Sequence, residues 1–170
     1  NVLIIGLGGL GRPAAMYLAS SGVGHLTLAD DDVVDLSNLQ RQIAHVTDNI
    51  GLSKVASAAQ AIHKLNDNVT VTELNRRLEG EALAEAVSSA DVILDCTDNF
   101  STRFAINAQA VKQNVPLVSG AAIRLEGQVS VFDSRIEYSP CYQCLYQEGD
   151  DLQLSCSESG VIAPLVGIIG

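Results

Sequence analysis

A glycine-rich turn near the start of the chain, Gly6-Leu7-Gly8-Gly9-Leu10-Gly11, has the composition of a phosphate-binding loop. It follows a short apolar run and opens a stretch with helical spacing, which is the context that a nucleotide-binding fingerprint requires. Glycine lets the backbone turn sharply and approach a phosphate, and the helix amino end offers unpaired N–H groups. We therefore expect Gly6, Gly8, Gly9 and Gly11 to form a nucleotide site. Taken alone, the turn favours NAD or FAD, because many enzymes bind those dinucleotides through this fingerprint.

An acidic run stands where the second apolar run ends. Asp30 lies about twenty residues beyond the last glycine, and an aspartate at that position can accept hydrogen bonds from ribose hydroxyls. Asp31 and Asp32 follow it directly. The run suits a nucleoside without distinguishing a dinucleotide from ATP.

The next segment, Ser37-Asn38-Leu39-Gln40-Arg41-Gln42, favours a triphosphate. A hydride-transfer enzyme has no need of an amide-rich turn followed by arginine at this place, whereas a triphosphate site does. Asn38 and Gln40 can bind ribose, base or phosphate oxygens, and the planar fork of Arg41 can clamp a phosphate. Lys54 starts the next helical stretch and adds a point charge. A solvated polar loop is the alternative interpretation.

A second polar cluster, residues 95–99, follows the apolar run at 92–94. Ligands of open α/β sheets bind at the carboxyl ends of the strands, and a carboxylate there can hold Mg²⁺, which bridges to substrate phosphates. We expect Asp98 to hold the ion with Asn99 beside it. Asp95 is expected to cap a turn, and Cys96 to be a small buried side chain.

The four cysteines are Cys96, Cys141, Cys144 and Cys156, and no secretion signal precedes them. A disulfide framework is therefore disfavoured. Cys141 and Cys144 form a CxxC, which supplies two of the four ligands of a tetrahedral zinc site. A redox dithiol and an incidental pair remain open alternatives. Cys156 lies in a polar loop, where it could equally be an inert thiol or a spare metal ligand.

Apolar runs alternate with helical stretches along the first 120 residues. The strand-like runs are residues 2–5, 25–29, 69–74, 92–94 and 116–119. The helical stretches are residues 9–20, 53–65, 80–87 and 101–113. Continuous apolar runs are typical of strands buried on both faces, so the pattern predicts an α/β, Rossmann-like, doubly wound and mostly parallel sheet.

The pattern changes in the C-terminal half. Residues 127–133 alternate with period two, which predicts an antiparallel extension of the sheet. Residues 135–158 form an irregular, cysteine-containing loop in this interpretation, and residues 159–169 a helix against the sheet or a partner.

The overall composition excludes several classes. The chain has 170 residues, 47% of them hydrophobic, which suits one domain with one core. The net charge of −10 argues against a nucleic-acid partner. The sequence has no apolar run of about twenty residues, so we expect no membrane association and a cytoplasmic protein. The chain opens on a strand and stops inside an apolar run, so we interpret residues 1–170 as a single domain truncated at both ends.

The motifs as a set resemble the ThiF/MoeB family, whose members adenylate ubiquitin-like sulfur-carrier proteins and are related to ubiquitin-activating enzymes. The matching pieces also include Ser119-Gly120-Ala121-Ala122, and the resemblance covers nearly the whole chain. It implies that the chain is an ATP-binding adenylyltransferase domain. The ATP site it implies consists of Gly6, Gly8, Gly9, Gly11, Asp30, Asp32, Ser37, Asn38, Leu39, Gln40, Arg41, Lys54, Asp98 and Asn99. The catalytic candidates are Arg41, Lys54, Asp98 and Cys156.

The resemblance also implies partners and cofactors. These are ATP with Mg²⁺ on Asp98, a second subunit of a homodimer, and a carrier protein of molybdopterin or thiamine biosynthesis. A structural Zn²⁺ would join Cys141 and Cys144 to a second CxxC that is absent from this sequence. In the thiamine branch a cysteine at the place of Cys156 handles sulfur. The carrier's tail is expected near residues 121–124 and the loop of residues 135–155.

Two other functions remain as alternatives. An NAD-dependent Rossmann enzyme would need a catalytic acid–base residue, and we identify none here. A non-catalytic module that only docks a carrier protein would have no need of Arg41, Lys54 and Asp98.

Overall fold

The computed structural model describes residues 1–42, 45–146 and 160–170. In those ranges six strands form one sheet in the order β3-β2-β1-β4-β5-β6. The strands are β1 (Val2–Ile5), β2 (His25–Ala29), β3 (Thr70–Leu74), β4 (Val92–Asp95), β5 (Leu117–Ile123) and β6 (Glu126–Phe132). All neighbours are parallel except β5 and β6, which pair antiparallel from Leu117 opposite Phe132 to Ile123 opposite Glu126. The predicted α/β sheet with its antiparallel extension is confirmed.

The helices in the same ranges are α1 (Gly11–Ser20), α2 (Lys54–Leu65), α3 (Gly80–Ser88), α4 (Phe100–Gln113), α5 (Tyr142–Leu145) and α6 (Ala163–Ile169). Side chains just before two of them fix their starts. The Ser53 hydroxyl accepts the N–H of Ala56, and the Asn99 side chain accepts the N–H of Thr102. The short helix α5 lies inside the segment expected to be irregular.

The core lies on both faces of the sheet because successive side chains of a strand point to opposite sides. Leu3 and Ile5 of β1 belong to a buried cluster with Ile106 of α4. Ile4, between them, belongs to a second cluster with Ile62 of α2. Helices α1 and α2 therefore cover one face, and α3 and α4 the other.

The register of the central strands brings three polar segments to one edge. Ile5 pairs with Ala29 on one side and with Asp95 on the other. The glycine turn, the acidic run and residues 96–99 therefore leave the sheet at the same level, beside the point where the strand order reverses. In the described ranges, no helix combines the length and the apolar character needed to cross a bilayer.

Candidate nucleotide-binding site

A crevice of about 370 Å³ opens at the carboxyl ends of β1, β2 and β4. This volume lies within the range of small-molecule pockets, about 300–1,000 Å³. Most of the residues predicted from the sequence line it, namely Gly6, Gly8, Gly9, Asp30, Asp32, Asn38, Arg41, Lys54, Asp98 and Asn99. Gly11, Ser37, Leu39 and Gln40 are not in the lining, so a direct role for them stays a prediction.

The glycine turn depends on glycine for close backbone packing. Gly6 has φ +89°, and a Cβ there would lie 2.8 Å from the carbonyl oxygen of Cys96. At Gly11 a Cβ would overlap the carbonyl oxygen of Gly6. Gly11 therefore closes the turn from behind, which explains why it does not line the crevice.

Asp30 ties the acidic run to the glycine turn. One carboxylate oxygen accepts the Leu7 N–H at 2.6 Å, and the other accepts the Asp32 N–H at 2.9 Å. Burial raises the pKa of Asp30, while the charge of Lys54 and these two hydrogen bonds oppose that rise. The predicted contact between Asp30 and a ribose stays a prediction, because both oxygens already position the backbone.

Two predicted cations are held at the crevice by short polar contacts. The Lys54 Nζ lies 2.7 Å from a carboxylate oxygen of Asp32, and Lys54 is only 6% exposed. The guanidinium of Arg41 donates to the side-chain oxygen of Asn38 at 3.2 Å. Asn38 also accepts the N–H groups of Arg41 and Gln42 at its carbonyl. Both cations therefore occupy defined positions in the lining of the crevice.

Two further arginines that the sequence analysis missed, Arg76 and Arg77, also line the crevice. Arg77 Nε lies 2.8 Å from a Glu79 carboxylate oxygen, and its Nη2 donates to the Thr102 hydroxyl at 3.1 Å. Both arginines follow β3 directly, so the rule that ligands bind at the carboxyl ends of parallel strands could have found them. They add positive charge to a site in a protein of net charge −10.

Two aspartates in the segment at the end of β4, Asp95 and Asp98, have different surroundings. Asp95 is fully buried and accepts the N–H and hydroxyl of Thr97 and the hydroxyl of Ser119, which confirms the predicted turn cap. Asp98 is exposed at the crevice, and no residue in the described part of the chain hydrogen-bonds to its carboxylate. Asp98 therefore offers its full set of oxygen ligands to a cation or a substrate.

The described cysteines differ in character. Burial raises the pKa of the Cys96 thiol to about 12, so it stays a neutral thiol beside the crevice. The Sγ atoms of Cys141 and Cys144 lie 3.6 Å apart. Burial opposes ionisation of Cys141, but hydrogen bonds from Asn107 and Cys144 outweigh it, and its pKa lies below the usual value. Cys156 lies outside the described residues.

A second cavity of about 350 Å³ adjoins the crevice and shares Asp98 and Ala122 with it. It runs along β5 and β6 past Gln128, whose amide donates to the Tyr146 hydroxyl at 2.6 Å. Arg103 is buried at its floor and bridges the carbonyls of Thr97 and Gly120. An extended chain in this cavity would therefore end beside Asp98.

Comparison with known proteins agrees with this geometry. The ThiF family profile matches residues 1–170. The chain is 50% identical over its full length to a molybdopterin-synthase adenylyltransferase of Salmonella typhimurium, of which it covers 68%. It is also 50% identical to the sulfur carrier protein ThiS adenylyltransferase of Escherichia coli K12, of which it covers 67%. The crystal structure of E. coli MccB with ATP shares the fold, with a TM-score of 0.84 at 22% identity over 99% of this chain and 52% of that one.

Proposed function

The chain belongs to the ThiF family, and from that premise we propose that it uses ATP to adenylate the C-terminal glycine carboxylate of a ubiquitin-like sulfur-carrier protein. One observation carries the proposal. A single crevice contains the glycine turn, the cations Arg41 and Lys54, and the carboxylate of Asp98, which has no hydrogen-bond partner among the described residues. The two relatives at 50% identity are named adenylyltransferases, which supports this reaction.

The proposed reaction is an attack of the carrier's carboxylate on the α-phosphorus of ATP. A bond forms between a carboxylate oxygen and phosphorus, the bond to the bridging oxygen of the β-phosphate breaks, and pyrophosphate leaves with the electron pair. The chain's own residues align the two substrates and balance charge. Arg41 and Lys54 stabilise the negative charge that builds on the leaving pyrophosphate.

Magnesium fits the residues that are present. Mg²⁺ is bound through one or two carboxylates together with substrate phosphates, and Asp98 supplies an exposed carboxylate at the crevice. When bound, the ion would add charge neutralisation to the phosphates. Asp98 is our candidate to hold it, with Asn99 completing the helix cap beside it.

The experiment that tests the function is exchange of labelled pyrophosphate into ATP, measured on the full-length protein with each candidate carrier in turn. We expect exchange that requires ATP and one carrier of the molybdopterin or thiamine branch. A fluorescence titration should show tighter binding of ATP than of NADH, because the triphosphate of ATP offers more negative charge to the cations of the crevice than the pyrophosphate of NADH does. Binding of NADH alone would favour a Rossmann dehydrogenase, and ATP binding without exchange would favour a carrier-docking module.

The carrier's tail is proposed to occupy the second cavity. Ala121 and Ala122 of β5 line it, and their small side chains leave room for an extended, glycine-ending peptide. Tyr142, which also lines it, is buried against the rings of Phe104 and Phe132. The proposed contacts are therefore Tyr146 and the exposed strand β6.

Zinc is proposed at the CxxC. A zinc tetrahedron with Zn–S bonds of about 2.3 Å has edges of about 3.8 Å, which is close to the separation of the Cys141 and Cys144 sulfurs. Asn107 donates to Cys141 and would orient that ligand. The other two ligands would come from the second CxxC that the family resemblance implies and that this sequence lacks.

Metal analysis of the full-length protein should find about one zinc per chain, because a structural site binds one ion tightly. Cys141→Ser should lose the metal. The matched control Cys96→Ser should keep it, since Cys96 lies at the crevice. A zinc-free wild-type protein would overturn the proposal.

Three finer features stay proposals. We propose a homodimer, which sedimentation of the full-length protein can test. We also propose a location in the cytoplasm and leave a sulfur-handling role of Cys156 as a prediction. Sulfur transfer by Cys156→Ser at the wild-type rate would remove that role.

A further inference from the structure

A buried cation stands behind the wall of the crevice, outside the predicted site. Arg12 occupies the first turn of α1 and is only 2% exposed. Its guanidinium donates to the Ser57 hydroxyl at 2.8 Å, to the Ser57 carbonyl at 3.2 Å and to Nδ1 of His45. Its Nε has no partner among the described residues. Arg12 is therefore a cation held entirely by neutral acceptors.

Within the described ranges, no carboxylate compensates this charge. None of the ion pairs formed by the described residues includes Arg12. Because a guanidinium can only donate, Nδ1 of His45 must be unprotonated, so the cluster contains no second charge of either sign. Burial lowers the pKa of Arg12 to about 10, which still leaves it charged at neutral pH. An unpaired buried charge is costly, so a nearby anion would be strongly favoured.

The partners of Arg12 lie on the elements that line the crevice. Arg12 itself follows the glycine turn, at the helix end whose dipole is positive. Ser57 lies one turn after Lys54 on α2. His45 donates its N–H to the carbonyl of Gln42, which lines the crevice. The cation is thus fixed to elements that also supply crevice residues, and it is itself buried in the protein.

We propose that Arg12 is a remote phosphate-binding determinant, whose counter-charge is the polyphosphate of the bound nucleotide. The inference rests on the proposed function, because it needs a triphosphate in the crevice. Arg12 acts through space and does not touch the ligand, so it is a positioning residue. Its contribution grows with the number of phosphates, because Coulomb attraction across a low-dielectric wall scales with ligand charge.

The test compares dissociation constants of ATP, ADP and adenosine for the full-length protein. In Arg12→Met, ATP should bind about tenfold more weakly, ADP a few-fold more weakly and adenosine unchanged, as expected for a lost charge at a distance. Arg12→Lys should restore most of the ATP affinity. The matched control Ser57→Ala removes a partner of Arg12 but keeps its charge. It should therefore change the dissociation constants of all three ligands by the same small factor.

The outcomes separate the possible explanations. An equal loss for ATP, ADP and adenosine in Arg12→Met would mean a structural role, and no loss would mean no role; either overturns the inference. Unchanged adenosine binding serves as the internal control for folding. A wild-type protein that fails to bind ATP would contradict the proposed function itself.

Discussion

Replacing Asp98 by alanine is expected to reduce ATP–pyrophosphate exchange by about a thousandfold, the scale seen when charge stabilisation of a transition state is lost. Asp98 is exposed at the crevice and makes no hydrogen bond within the described ranges, so its carboxylate is available to a cation. Without it, the proposed Mg²⁺ loses its protein ligand, and the charge on the departing pyrophosphate is less well balanced. The measurement is the steady-state exchange rate with saturating carrier.

The fold should be unaffected, because the Asp98 carboxylate makes no hydrogen bond or ion pair in the part of the chain that the structure describes. The nearby Asp95 instead stabilises this segment, because its carboxylate accepts hydrogen bonds from Thr97 and Ser119. The control is Asp67→Ala, which removes the same charge from an exposed position before β3, at the opposite end of the sheet. Thermal unfolding of both variants should match that of the wild type. Near-normal exchange in Asp98→Ala would remove Asp98 from the mechanism.

The central strands β1, β2 and β4 could be predicted from the sequence because they lie largely buried between two layers of helices. Such strands read as unbroken apolar runs, and their carboxyl ends fall within one residue of the predicted ends. Strand β5 instead continues to Ile123, four residues beyond its predicted end at residue 119. The glycine turn, the acidic run and the cluster at Asp98 were placed correctly for the same reason: each follows a strand end directly. Gly11 is the exception. Its lack of a side chain allows close packing against the Gly6 backbone, and it does not line the crevice.

Side-chain direction in irregular segments could not be predicted. Within residues 37–42, Asn38, Arg41 and Gln42 line the crevice while Ser37 bonds to Asp35 instead. A turn has no fixed period, so its composition does not reveal which side chains point inward. The burial of Arg12 could not be predicted for a related reason. An arginine on a helix is exposed in most proteins, and only tertiary packing buries this one.

Replacing Lys54 by methionine is expected to reduce the exchange rate by about a hundredfold, because the lost cation stabilises charge mainly in the transition state. Lys54 is almost fully buried, so little water screens its charge from a bound phosphate. Methionine keeps the length and apolar stem of the side chain. The KM for ATP should rise less than kcat falls, since ground-state binding is shared with Arg41 and the glycine turn.

The loss of the ion pair should not unfold the protein. Asp32, the partner of Lys54, has a side chain that is 67% exposed, so water can solvate it when the ammonium is gone. Lys64→Met provides the control, because Lys64 is exposed in the last turn of the same helix and should keep normal exchange. If Lys54→Met lost affinity for ATP and adenosine alike while kcat stayed at the wild-type value, Lys54 would only shape the crevice. A fall in kcat without a matching loss of affinity would indicate that the Lys54 ammonium stabilises the charge on the leaving pyrophosphate.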